Sequence, residues 1–163
     1  MSQDPEFPGA TPQLVVDDAD RAIGFYKEAF QADELVRNNA PDGRVMHCEL
    51  LMFGGRVLVV DDFDEDLVSS PAKLGGSTVR LHVYVPDVDS VHERVLRAGG
   101  VNVLAPTDAF WGDRYAIVRD PSGHHWSIAT QQQELSVAEL EERSDAWSRE
   151  HAGQADAVGT GDA

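Results

Sequence analysis

Residues 110–130 read FWGDRYAIVRDPSGHHWSIAT. The stretch predicts a strand, a tight turn at Asp120-Pro121-Ser122-Gly123 and a return strand, hence a β-hairpin with a loop in front. Pro121 presets φ for an early turn position and Gly123 tolerates positive φ, whereas a proline inside either strand would remove a ladder donor. A shorter echo of this hairpin, and of the segment before it, occurs earlier in the chain.

TPQLVVDDADRAIGFYKEAF (11–30) superposes on RLHVYVPDVDSVHERVLRAG (80–99) at an offset of 69, with Asp18 on Asp87 and Asp20 on Asp89. DGRVMHCEL from Asp42 matches GDRYAIVRD from Gly112 at an offset of 70, with Arg44 on Arg114. Identity is low, so the repeat rests on pattern, and each copy reads β-α-β-β-β. In the first copy a strand over Gln13–Val16 precedes a helix capped by Asp18, whose carboxylate can accept early backbone N–H groups. Ala22, Ile23, Tyr26 and Phe30 form the buried stripe of that helix. Strands follow near 34–37, 45–53 and 56–60. The second copy predicts a strand over 79–85, a helix over 87–98 stopped by Gly99-Gly100, and strands over 102–104, 114–119 and 124–129.

The resulting organisation is an N-terminal segment over 1–10, a first βαβββ module over 11–66, a linker over 67–78 and a second module over 79–130. An acidic helix over 131–151 and a disordered tail over 152–163 follow. Segment 1–10 is disordered or left from a cloning junction, because DPEF translates a common one; Met1–Phe7 is set aside functionally. Ser136 and Glu139 form an S-x-x-E capping box, with Val137, Leu140 and Trp147 on one side of the helix. That helix docks on its own domain or on a partner subunit. The tail has too little apolar content to order itself.

An apolar fraction of 42% is enough for a core, and no apolar run approaches the ~18–20 residues that span a bilayer. With no signal-peptide layout, a cytoplasmic protein is expected. The net charge of −16 argues against nucleic acid and anionic membranes, since phosphate binding needs cationic neutralisation. Cys48 is the only cysteine, which excludes an internal disulfide and a cysteine metal cluster; it is read as a buried, inert thiol. The run from Asp61 to Asp66 lacks the D-x-D-x-D-G spacing of a calcium loop and is read as a solvated acidic loop.

The segments LVVDDADRAIGFYKEAF, MHCEL and WGDRY…RDPSGHHWSIAT together resemble the vicinal oxygen chelate superfamily, which includes glyoxalase I, extradiol dioxygenases and bleomycin-resistance proteins. The pattern is most similar to its PhnB-like, glyoxalase/bleomycin-resistance-like branch. The resemblance covers 11–130 and implies an α+β fold: two tandem βαβββ modules forming a partly open, barrel-like sheet around a cavity, in a homodimer. In metal-dependent members the ligands are a His on the first strand of each module and a Glu late in the last strand. Carried over, those positions are Thr11, Arg80, Ser127 and a site near Val59. None is a good divalent-metal ligand, so the family metal site is expected to be absent, and no metal or cofactor is expected here. If Arg80 and Ser127 lie level on parallel strands, His82 and His125 stagger by about four residues, roughly 13 Å at ~3.3 Å per residue, too far to share one ion. His47 and Glu49 could supply two ligands from one face of a middle strand.

Alternation places Arg80, His82 and Tyr84 on one strand face, His47 and Glu49 opposite Met46, Cys48 and Leu50, and His125 and Ser127 opposite Trp126 and Ile128. The polar sets line a pocket, or they neutralise one another in an internal network such as Arg80 with Glu49. Phe110 and Trp111 stack on a planar ligand, or they fill the space between modules or seal a dimer. Arg114, matching Arg44 in the repeat, is read as a structural salt-bridge residue and Trp126 as core. The expected function is a small-molecule-binding protein that sequesters an aromatic or antibiotic-like ligand without a metal. Its binding residues would be His47, Glu49, Arg80, His82, Tyr84, Phe110, Trp111, His125 and Ser127. The alternative is a metal-independent or displaced-metal lyase or isomerase acting on a small carbonyl or enolisable metabolite. There Glu49 or His47 is the base and Arg80 stabilises an oxyanion. A structural or regulatory partner protein is the third possibility.

Overall fold

The computed structural model describes residues 10–63 and 68–152. Segments 1–9, 64–67 and 153–163, which hold most of the N-terminal segment and of the tail and the second half of the acidic run, lie outside the described residues. The first module comprises β1 (Gln13–Val16), α1 (Ala19–Phe30), β2 (Asp33–Asn39), β3 (Val45–Met52) and β4 (Gly55–Asp61). A short helix, α2 (Pro71–Leu74), leads to the second module: β5 (Arg80–Tyr84), α3 (Val88–Arg97), β6 (Val101–Asp108), β7 (Asp113–Arg119) and β8 (His125–Gln131). The helix α4 (Val137–His151) follows. The two four-stranded sheets have equivalent orders, β1-β4-β3-β2 and β5-β8-β7-β6, and neither is closed. In each, the first and last strands run parallel and the other pairs are antiparallel.

The repeat extends to side-chain detail. Asp18 and Asp87 cap their helices by accepting from Arg21 N and Ser90 N. At the far end of each last strand, a side chain returns to the helix start. Asp61 Oδ1 accepts from Ala19 N at 2.8 Å, and Thr130 Oγ1, 69 residues later, accepts from Val88 N at 2.8 Å. Asp61 is buried and its other oxygen accepts from Val45 N. Asp62 accepts from Ser70 N. The described start of the acidic run is therefore a structural cap rather than a solvated loop, because these carboxylates satisfy backbone donors that water cannot reach.

The helices lie on one side of the sheets and touch each other, so the core is continuous across both modules. It centres on Tyr26, Phe30 and Trp126, with Phe30 and Trp126 ring centroids 4.9 Å apart. Gly100 permits the α1–α3 contact: a Cβ there would lie 2.5 Å from Val95 Cγ1 and 3.2 Å from Phe25 Cε2. Cys48 is fully buried, and burial pushes its thiol up.

Two strand expectations change. Residues 102–104 are part of the longer β6, which runs past Pro106 to Asp108. β6 is an edge strand with two register shifts, and an edge or bulge tolerates a proline that lacks a donor. Met46 does not share the buried face of Cys48 and Leu50 but is exposed, because the register shifts between Asn38 and Asn39 and leaves it as the extra residue. No residue of α4 is buried, although its capping box forms as read. No helix among the described residues is long and apolar enough to cross a membrane.

Candidate functional site

The strand faces turned away from the helices carry the residues singled out from sequence. On β5 and β8 they stand in register. Arg80 pairs with His125, His82 with Ser127 and Tyr84 with Ala129. This corrects the expected register, in which Arg80 is level with Ser127. Parallel pairing is set by the module as a whole, and it shortens the His82–His125 stagger to two residues, roughly 7 Å of strand. His82 Nδ1 and Ser127 Oγ share a 3.0 Å hydrogen bond, and the His82 and Tyr84 rings meet edge to face at 4.9 Å.

Beyond Tyr84 an aromatic set is organised by one carboxylate. Asp113, at the start of β7, is buried, and its Oδ2 accepts from Tyr84 Oη at 3.1 Å and from Trp111 Nε1 at 3.0 Å. The Tyr84 phenol is pushed up chiefly by that hydrogen bond. Trp111 lies 4.9 Å from Tyr115, whose partner across the ladder is Ala129 beside Tyr84. Phe110 contacts Trp111 on one side and Trp147 of α4 on the other, at 5.0 and 5.6 Å. Between this pair and Leu140, Glu141, Ser144 and Asp145 of α4 runs an open groove of about 600 Å³. Asp113 and Tyr115 escape a reading of the sequence alone. Their signal is the placement of W-G-D-R-Y at the mouth of a strand, where an indole and a carboxylate two residues apart can meet.

His47 and Glu49 form a separate group on β3. His47 Nε2 lies 3.2 Å from Glu49 Oε1, and Arg56 of β4 bonds Glu49 Oε2. Glu49 therefore pairs with Arg56 and not with Arg80, because Arg56 is its diagonal neighbour across the β3–β4 hairpin. His47 first, then Arg56, holds the Glu49 carboxyl below the usual carboxylate range. The two groups approach at a cleft of about 230 Å³ lined by Thr11, Phe53, Arg56 and His82.

The family resemblance assigns metal ligands to positions at and beside the first and last strands of the modules. Thr11 precedes β1, and Leu58 rather than Val59 is the first module's counterpart of Ser127, since Gln13 pairs with Leu58 as His82 pairs with Ser127. Val59 is fully buried on the helix side. Threonine, leucine, arginine and serine do not fit a divalent metal. No group of three or more His, Cys, Asp or Glu among the described residues is arranged to hold one.

The two βαβββ modules, joined through their helices, match known proteins. The family model of the Glyoxalase/Bleomycin resistance protein/Dioxygenase superfamily matches residues 10–128. The chain belongs to this superfamily. It is 43% identical over 137 residues to the uncharacterized protein Rv0887c of Mycobacterium tuberculosis, covering 82% of this chain and 81% of that one. It is similar to the crystal structure of TioX from Micromonospora sp. ML1, with 31% identity, a TM-score of 0.60, and coverage of 76% of this chain and 99% of that one. The fold is shared with the fosfomycin resistance protein FosX of Listeria monocytogenes at 14% identity and a TM-score of 0.58, over 81% of this chain and 96% of that one.

Proposed function

We propose that this superfamily member binds a small aromatic molecule on the open face of its second module, without a metal and without transforming it. The observation that carries the reading is the buried Asp113 carboxylate, which holds Tyr84 and Trp111 on one side of the sheet where their rings can receive a planar ligand. Fixing aromatic rings in advance lowers the entropic cost of binding. Ser127 contributes a hydroxyl to His82 where the resemblance places a metal-binding acid. Phe110 extends the apolar wall, and Leu140 of α4 faces it across the groove.

A homodimer is part of the reading. Val36, Met46 and Leu51 are exposed large apolar residues of the first module's sheet, and neither sheet closes on itself. A second copy laid over them would roof the open faces. Light scattering at micromolar concentration should report twice the chain mass.

Elemental analysis of protein purified without chelator should find no stoichiometric metal, and EDTA should leave the melting temperature unchanged. A thermal-shift screen should find stabilisation by aromatic compounds rather than by small oxo-acids. Stabilisation by oxo-acids alone, with turnover lost in Glu49→Gln, would establish the lyase or isomerase reading instead. The His47–Glu49 pair is the observation behind that alternative. It is weakened by Arg56, which engages the carboxylate and lowers its basicity.

A further inference from the structure

The net charge is −16, with 13 Lys and Arg against 29 Asp and Glu, so a cation here has acids in abundance. Arg21, Arg37, Arg44, Arg56 and Arg114 each hold a carboxylate. The side chains of Arg80 and Arg119 have no hydrogen-bonded or ion-pair partner among the described residues, and the two residues stand in one line. Arg80 of β5 pairs with His125 of β8, and His125 pairs with Arg119 of β7. All three project from the face that carries His82, Ser127, Tyr84 and Tyr115, two residues or multiples of two further along the same strands. Neighbouring strands are about 4.8 Å apart, so the two arginine backbones flank His125 with roughly 10 Å between them.

Two guanidiniums on either side of an imidazole repel one another unless an anion lies between them. The row ends at a cavity of about 470 Å³ whose lining includes Arg119, His125, Gly76, Ser77 and Ser122. The buried Ser122 hydroxyl has no hydrogen-bond partner among the described residues. Asp120 also lines this cavity, but its oxygens already accept from Tyr26, Trp126, Ser122 N and His124 N.

We propose that Arg80, His125 and Arg119 form an oxyanion-binding row that holds the carboxylate or phosphate of the small molecule whose ring lies against Tyr84, Tyr115 and Trp111. This rests on the binding function proposed above. Guanidinium forks match the planar or tetrahedral oxygens of such groups. From the cationic row to the Tyr84–Tyr115 row is four residues, about 13 Å of strand, with the His82–Ser127 hydrogen bond midway. The face thus selects an elongated molecule with an acidic head and a flat apolar tail.

Isothermal titration of the full chain with 2-naphthoate, 2-naphthyl phosphate and the neutral 2-naphthalenemethanol tests the row. At least one charged probe should bind about tenfold or more tightly than the alcohol, with an advantage that shrinks as salt rises. The preference between carboxylate and phosphate identifies the head group. In Arg80→Gln/Arg119→Gln the advantage should disappear while alcohol binding persists, and Arg80→Lys/Arg119→Lys should retain part of it. Trp111→Ala should weaken all three probes. Equal binding of charged and neutral probes, or an advantage that survives the double glutamine variant, overturns the row and leaves the aromatic-binding reading intact. A change in oligomeric state in the double variant with unchanged probe affinities also overturns it and assigns the arginines to a second copy's acids. Failure of all three probes to bind rejects the row and the aromatic-binding reading together.

Discussion

The phenol of Tyr26 donates a 2.6 Å hydrogen bond to Asp120 Oδ2, joining the helix of the first module to the hairpin turn of the second. Trp126 Nε1 donates to the same oxygen, while Asp120 Oδ1 accepts from the backbone of Ser122 and His124. One carboxylate thus shapes the D-P-S-G turn and fastens it to the core. Asp120→Ala should destabilise the protein by about 3 kcal/mol, since it orphans several buried donors. Tyr26→Phe should cost about 1 kcal/mol. Chemical denaturation read by circular dichroism measures both.

The same contact predicts an alkaline limit. Burial, and then the Asp120 charge, raise the Tyr26 phenol well above its ordinary 10.0. A group whose folded value is raised stabilises the native state fully below its unfolded value. That contribution is lost as pH climbs from about 10 towards the folded value. Tyr26→Phe should flatten the stability profile above pH 10, which denaturant melts at pH 9, 10 and 11 would show. An unchanged slope would remove Tyr26 as the cause.

Asp113 orients the proposed ligand platform. Asp113→Ala should free Trp111 and Tyr84, shift the tryptophan emission and weaken aromatic-ligand binding about tenfold, with Trp111→Ala weakening it further. Asp113→Asn keeps an acceptor for these neutral donors and should fall between wild type and Asp113→Ala.

The Glu49 carboxyl should titrate below the ordinary 4.5 in a carbon-detected NMR experiment. His47 and Arg56 favour its charged form, so the pairing is present above 4.5 and lost as pH falls through the lowered value. Arg56→Gln should move the midpoint back up. A midpoint at or above 4.5 in the wild type would restore Glu49 as a candidate base.

Two glycines should respond in opposite directions. Gly100→Ala places a methyl 2.5 Å from Val95 Cγ1 and should cost about 1–3 kcal/mol through overpacking. Gly24, on the exposed side of α1, has no neighbouring atom within 4 Å of where a Cβ would stand, and Gly24→Ala should stabilise by about 0.5–1 kcal/mol. Thermal melts of the two variants should bracket the wild type.

The fold is largely legible in the sequence because its cues are local. The caps at Asp18 and Asp87, the α4 capping box and the hairpin turn are written in neighbouring residues, and the 69-residue offset repeats them. The site is legible only in pieces. Alternation identifies which side chains share a face, but a one-strand pattern carries no information on which residue lies beside which on the next strand. Hence the expected Arg80–Ser127 level is off by two residues, Glu49 takes Arg56 in place of Arg80, and Asp113 gives no sign of its role.

The sequence by itself determined two βαβββ modules, and the family resemblance added metal-ligand positions whose residues in this chain are poor ligands for a divalent metal. The modules follow from short-range chemistry, periodicity and capping, and the ligand argument from the donor atoms a side chain carries. Only the tertiary structure decided that Asp120 fastens one module to the other, that Asp113 gathers Tyr84 and Trp111, and that Arg80, His125 and Arg119 stand in one row. Those relationships depend on strand register and on the packing of α1 against α3, which arise from the combined burial of both halves and belong to no single segment.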